Sequence, residues 1–188
     1  MSLEQLWQLF PIKLSAYNPV WKDWYLHEKK LLVETIGKGN IRRINHIGST
    51  SVDGLIAKPT IDILIEIRKN TDTEKMIKSL KNINYIFDTQ PEKPPPHMMF
   101  MKGYTENGYE EKVFHLHIRY LGDWDELYFR DYLQICPKIA KEYTELKIKL
   151  KQKFEHDRDG YTNAKTDFIN KCVKLARLVF QKKYLAKK

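Results

Sequence analysis

An α+β fold is predicted, with a mixed β-sheet flanked by helices and a C-terminal helical part, and three observations predict it. Apolar residues recur at helical spacing across 18–39 and again from 123 towards the end of the chain. Between these stretches, short runs alternate with a period of two, as strands do. Strands and helices are interleaved early and helices alone fill the last third, an order that belongs to α+β proteins rather than to regular βαβ repeats.

The first helix is read over "NPVWKDWYLHEKKLLVETIGKG", with Asn18 as N-cap, Pro19 at the first helical position and Gly37 or Gly39 as the stop. Residues 41–47 and 60–67 read as strands. "TDTEKMIKSLKNI" opens with Thr71 three residues before Glu74, a capping-box spacing, and gives the second helix; "NYIFD" follows as a short strand. "PEKPPPHMMF" reads as a stiff loop. The strands "HMMFMKGY" and "EEKVFHLHIRY" flank Asn107-Gly108, a tight hairpin turn. Asp123, with Glu126 three residues on, predicts a capping box for the helix "WDELYFRDYLQIC", stopped by Pro137. Two basic amphipathic helices, 138–155 and 162–187, surround "HDRDGYT". The chain of 188 residues is read as one domain, a core over about 1–122 and helices over 123–188.

Composition narrows the function classes. Hydrophobic residues make up 42%, enough for a core, and no apolar run approaches the ~18 residues that span a bilayer. "MSLEQLWQLFPIKL" has no basic segment ahead of an apolar one, so no secretory signal is expected and a cytoplasmic location is. Cys136 and Cys172 have no CxxC spacing, which argues against a zinc ribbon or a disulfide framework. The net charge of +9 resides in 138–188, where 15 Lys and Arg face 6 Asp and Glu. Such an excess favours an anionic partner, a nucleotide or a nucleic acid bound by the basic helices, and no membrane partner is expected.

Candidate chemistry gathers in "RINHIGSTSVDGLIAKPTIDILIEIR". A turn at Gly48, Ser49 and Thr50 follows a strand, where backbone N–H groups and hydroxyls converge on an anion. Lys58 and His46 bracket this turn and can neutralise phosphate charge. On the next strand Ile61, Ile63, Ile65 and Ile67 share one face and Asp62, Leu64 and Glu66 the other. Two carboxylates beside a phosphate-binding turn suit Mg²⁺ or Mn²⁺ with a triphosphate. His115 and His117, also on one strand face, are candidate metal or phosphate ligands.

"HIGSTSVDGLIAKPTIDILIEI" resembles the GrpB family, whose members carry His-Ile-Gly-Ser-Thr, a short connection, then Lys-Pro and an Ile-Asp strand. The likeness continues through "FHLHI", "DWDELYFRDYL", Tyr143 and Lys147, and the Tyr161 and Lys165 spacing, over roughly 17–170. The family looks like a branch of the nucleotidyltransferase superfamily, in which a Gly-Ser turn precedes a strand with two alternating carboxylates and a third carboxylate lies on a neighbouring strand. Twelve residues separate Ser49 from Asp62, within that superfamily's gap. Departures occur at Asp53, where proline is usual in the family, and at Thr60, where an aliphatic is usual. Leu64 stands where the superfamily's second carboxylate belongs, and His115 or His117 where the third does.

The resemblance implies a nucleotidyltransferase fold and a metal-dependent transfer of a nucleoside monophosphate from an NTP to an acceptor. Ser49 and the turn amides would hold the β- and γ-phosphates, and Asp62 with Glu66 or a histidine the metal. Lys58, Arg130 and Lys165 would offset phosphate charge, with Tyr161 stacked on the base. Two alternatives stand beside it. One is a catalytically inactive nucleotide- or RNA-binding module of the same fold, favoured by Leu64; the other is an interaction domain, since family relatives occur fused to dephospho-CoA kinase.

Overall fold

A computed structural model describes residues 3–90, 92–93 and 96–186. A five-stranded sheet lies at its centre, ordered β1-β2-β5-β4-β3. The strands are β1 (Ile41–Ile47), β2 (Thr60–Ile67), β3 (Ile86–Thr89), β4 (Met98–Thr105) and β5 (Gly108–Tyr120). β2 and β5 run parallel and every other pair is antiparallel, so the sheet is mixed. The seven helices of the described residues are α1 (Leu3–Leu9), α2 (Val20–Ile36), α3 (Thr73–Lys81), α4 (Asp125–Ile135), α5 (Pro137–Phe154), α6 (Arg158–Asn163) and α7 (Thr166–Phe180). No helix among these residues is long and apolar enough to cross a membrane. Of the Pro-rich stretch, Pro91, Pro94 and Pro95 lie outside the described residues.

Each sheet face has its own cover. The Ile61, Ile63, Ile65 and Ile67 face packs on Trp21, Leu32 and Ile36 of α2 and on Met76 and Leu80 of α3. Each of those isoleucines contributes ~1.5–3 kcal/mol by leaving water. On the opposite face Leu64 joins Ile47 and Leu127, with Trp124 and Tyr184 closing around them. A third cluster, including Leu55, Phe129, Leu133, Tyr143 and Val173, binds α5 and α7 to α4 and to the loop before β2.

Several local predictions meet a different detail. α2 begins at Val20 with Pro19 in the N-cap position, one residue later than expected, though the Asn18 carboxamide oxygen still accepts the Val20 amide at 3.0 Å. In α3 the cap is Asp72, which accepts from Lys75 N at 2.9 Å, while the Thr71 hydroxyl is buried without a partner. Asp123 does not cap α4; it accepts from the Tyr128 hydroxyl and ion-pairs with Arg177, tying α4 to α7. The stretch "HDRDGYT" between the two expected helices enters a helix of its own, α6, capped by Asp157. β2 carries acids, yet it is buried almost throughout because α4 and the C-terminal segment cover its second face.

Candidate functional site

β1 delivers the chain to Gly48, which takes φ +69°, a region glycine enters without steric cost. A Cβ there would run into the Asp62 carboxylate, so glycine serves both the turn and the close approach. A 3₁₀ turn, Ser49–Ser51, follows, with the Ser51 hydroxyl donating to Gly48 O at 2.6 Å. Thr50 faces inward: its hydroxyl donates to Thr60 O at 2.9 Å and lies 3.0 Å from His46 Nε2, stapling the turn to the start of β2. Ser49 turns the other way, its Oγ 3.3 Å from Lys147 Nζ.

Parallel pairing sets Asp62 beside His115 and Leu64 beside His117. Asp62 and His115 therefore share a sheet face, with Oδ1 3.2 Å from His115 Nδ1 and 3.9 Å from His117 Nε2. Burial opposes ionisation of Asp62, but hydrogen bonds from His115 and His117 prevail and hold its carboxyl well below the usual range. Burial pushes the His115 imidazolium down, against the pull of Asp62, which favours the neutral ring.

The far nitrogen of His115 is engaged as well. Nε2 lies 2.6 Å from the Tyr104 hydroxyl, which accepts from Arg158 Nη2 at 2.9 Å. Arg158 has only protons to give and Asp62 only lone pairs, so every donor in the row points one way. Arg158 donates to Tyr104, Tyr104 to His115 Nε2, and the His115 Nδ1–H to Asp62. A β-bulge aims Tyr104 at this position: the β4–β5 register shifts between Lys102 and Tyr104, around Gly103 at φ +89°.

Cations complete the cleft. The Lys58 and Lys165 ammonium groups lie over the Tyr161 ring, 5.7 and 4.3 Å from its centroid. Lys147, only 2% exposed, donates to Ile56 O and lies over the Tyr143 ring at 4.6 Å. Burial first, then the charges of Lys165 and Arg158, bring Lys58 down to about 7, with Asp62 pulling the other way. Burial, joined by repulsion from Lys165, brings Lys147 to about 7; burial also brings Lys165 to about 8, and Asp62 resists.

The structure thus gathers Gly48, Ser49, Lys58, Asp62, His115, His117 and Lys165. Glu66 stands apart from them. It is fully buried, and both its oxygens are taken by Arg43 and the Gly122 amide. Arg130 is held at the β1 edge by His46 O, Asp131 and the Tyr184 hydroxyl. There it lines a cavity of about 270 Å³ with Tyr25, Asn45 and Gln134 that reaches the turn only at His46 and Ser51. Tyr161 is 1% exposed, and its ring meets ammonium groups where a stacked base had been expected. A larger cavity, about 620 Å³, lies between residues 52–56 and α4 and α5 and contains neither Asp62 nor either histidine.

The donors do not fit the expected metal set. His115 has no free ring nitrogen, Glu66 has no free oxygen and Leu64 is apolar, which leaves Asp62 and His117. Among the described residues no group of three or more His, Cys, Asp or Glu side chains is placed to hold a metal ion. Magnesium seeks six oxygen ligands in octahedral array, and this cleft supplies one carboxylate.

Tyr104, Arg158 and Lys147 were not singled out by chemistry in the sequence. A faint signal existed for Lys147, which falls four residues after Tyr143 on the apolar stripe of α5. None existed for Tyr104 and Arg158, which meet only through the tertiary fold.

Comparison with known proteins accords with this architecture. The model of the family described as "GrpB protein" matches residues 11–175. The glutamate-rich protein GrpB of Alkalihalophilus pseudofirmus is 33% identical over 160 residues, 84% of this chain and 91% of that protein. The UPF0157 protein YqkA of Bacillus subtilis is 30% identical over 89% of this chain, which spans only 48% of YqkA. The crystal structure of the conserved protein GrpB from Enterococcus faecalis superposes with a TM-score of 0.78 at 29% identity, covering 89% of this chain and 99% of that one. Shared over most of its length with these relatives in sequence and fold, the chain belongs to the GrpB family.

Proposed function

We propose that the protein binds a nucleoside triphosphate by its phosphates in the cleft between the Gly48-Ser49 turn and Asp62, as a nucleotide-binding module with a nucleotidyltransferase-like fold. One observation carries this reading: Lys58 and Lys165 feel the ionised Asp62 carboxylate, Lys147 reaches Ser49 and Arg158 closes the row through Tyr104, beside a turn that opens at a positive-φ glycine. Buried ammonium groups that repel one another are costly unless an anion joins them. A polyphosphate held by a Gly-Ser turn is such an anion. The test is a thermal-shift screen of the four NTPs against the protein and its Lys165→Gln variant. A nucleotide at 100 times its Kd adds ~2.7 kcal/mol, and the variant loses most of that gain. If no nucleotide moves the melting temperature, the reading fails and an interaction domain is favoured.

Onward transfer of the nucleoside monophosphate is a second reading, supported by Asp62, whose carboxylate stays ionised beside an imidazole that favours its neutral form. Pyrophosphate release from an NTP that disappears in Asp62→Asn would support transfer; its absence in the wild-type protein would leave binding alone.

A further inference from the structure

We infer that the side-chain cations of this cleft take the place of a divalent ion, so that the polyphosphate enters as the metal-free anion. This rests on the reading that the cleft binds polyphosphate.

Three observations lead to it. The first is the charge inventory. Arg158 and Lys165, with Lys58 and Lys147 charged in part near neutral pH, outweigh the single carboxylate of Asp62, so the cleft carries more positive than negative charge before any ligand arrives. A divalent cation at Asp62 adds to that excess, whereas a free polyphosphate cancels it.

The second is donor availability. Of the oxygens and nitrogens that could ligate an ion, Glu66 gives both oxygens to Arg43 and Gly122, and His115 gives both nitrogens to Asp62 and Tyr104. Recruiting His115 to an ion would break the row from Arg158 through Tyr104 to Asp62. At position 64, the place of a second carboxylate, Leu64 is fully buried against Ile47 and Leu127.

The third is how the ammonium groups are held. Lys58 and Lys165 are steadied by the face of Tyr161, an interaction that uses the charge but leaves N–H donors pointing elsewhere. Lys147 gives protons to Ile56 O and Ser49 Oγ and keeps a third. Lysine binds phosphate as a compact point charge, and several held around one turn reproduce the charge neutralisation that Mg²⁺ supplies in metal-dependent sites.

The experiment is calorimetric titration with ATP, and separately with inorganic tripolyphosphate, once in EDTA and once in saturating MgCl₂ at matched ionic strength. Expected is binding of both anions in EDTA, with at least tenfold weaker affinity in MgCl₂, where the anion arrives already neutralised. Lys58→Met and Lys165→Gln each weaken tripolyphosphate binding in EDTA tenfold or more; circular dichroism identifies any variant that fails to fold, and the other then decides. Binding that appears only with Mg²⁺, or that Mg²⁺ tightens, overturns metal independence and leaves the nucleotide reading standing. No binding of either anion in either buffer overturns both.

Discussion

Replacing Leu64 with aspartate would put a second acid two residues from Asp62 on the same strand face. The structure predicts that it damages the fold. Leu64 is fully buried among Ile47, Leu127, Trp124 and Tyr184. Removing its side chain alone, as in Leu64→Ala, costs ~2.7–5 kcal/mol through lost transfer energy and the cavity left behind. The aspartate adds an unsolvated carboxyl flanked on its own face by Asp62 and Glu66, each ~6.6–6.8 Å along the strand. Two donors are at hand, the buried and unpartnered Asn45 Nδ2 on β1 and the His117 ring paired with Leu64 on β5, and each recovers only ~1 kcal/mol. The variant should therefore lose ~5–8 kcal/mol, much of the ~5–15 kcal/mol that a domain possesses. Burial raises the new carboxyl's folded-state pKa above its unfolded value. The native state then keeps the proton to higher pH, and stability falls as pH climbs through that window by up to ~1.4 kcal/mol per unit. Urea unfolding followed by circular dichroism at pH 5 and pH 7 measures both quantities. The gap between Leu64→Asp and Leu64→Ala should widen from pH 5 to pH 7. A Leu64→Asp protein within ~1 kcal/mol of Leu64→Ala at both pH values would show position 64 to be solvated.

Glu66→Gln should cost ~3 kcal/mol by stranding Arg43, yet leave nucleotide affinity of the folded protein unchanged; an affinity loss in titration would return Glu66 to the site. Gly48→Ala should cost ~1–3 kcal/mol for its positive φ and displace the Asp62 carboxylate, so stability and nucleotide binding fall together in a thermal-shift series with and without ATP. Lys58 and Lys147 lie near 7 and Lys165 near 8, below the unfolded value for lysine. Above those values the unfolded chain binds protons that the folded chain has released, so the unliganded melting temperature should rise from pH 7 to pH 9. Over the same interval tripolyphosphate affinity should fall as ammonium charge is lost while Asp62 stays ionised. Affinity flat across that interval would detach these lysines from the ligand.

Strand periods, the glycine turn and the pairing of acids with one face of β2 were legible in the sequence because they are local. A period of two states which residues share a face, and a glycine after a strand marks where the backbone must turn. The ends of β1 and β2 were read correctly on that basis, as was the common face of Asp62, Leu64 and Glu66. Local pattern cannot say what covers a face. Asp62, Leu64 and Glu66 are equivalent in sequence, but α4 and the C-terminal segment close over Leu64 and Glu66 and stop short of Asp62. Capping was misread for a related reason. Asp123 has the spacing of an N-cap, and Arg177 of α7, 54 residues away, competes successfully for its carboxylate. The basic third of the chain was visible as charge, yet its two roles were not separable there. Lys147 and Lys165 turn inward while most neighbouring lysines face solvent, and only packing of α5, α6 and α7 against α4 and the loop before β2 selects them. The amino-acid sequence by itself determined the turn, the acid-bearing strand and the sign of the charge, which depend on neighbours in the chain. The tertiary structure alone decided which acid meets solvent and which cations meet that acid, because burial and long-range Coulomb interactions are set by residues far apart in sequence.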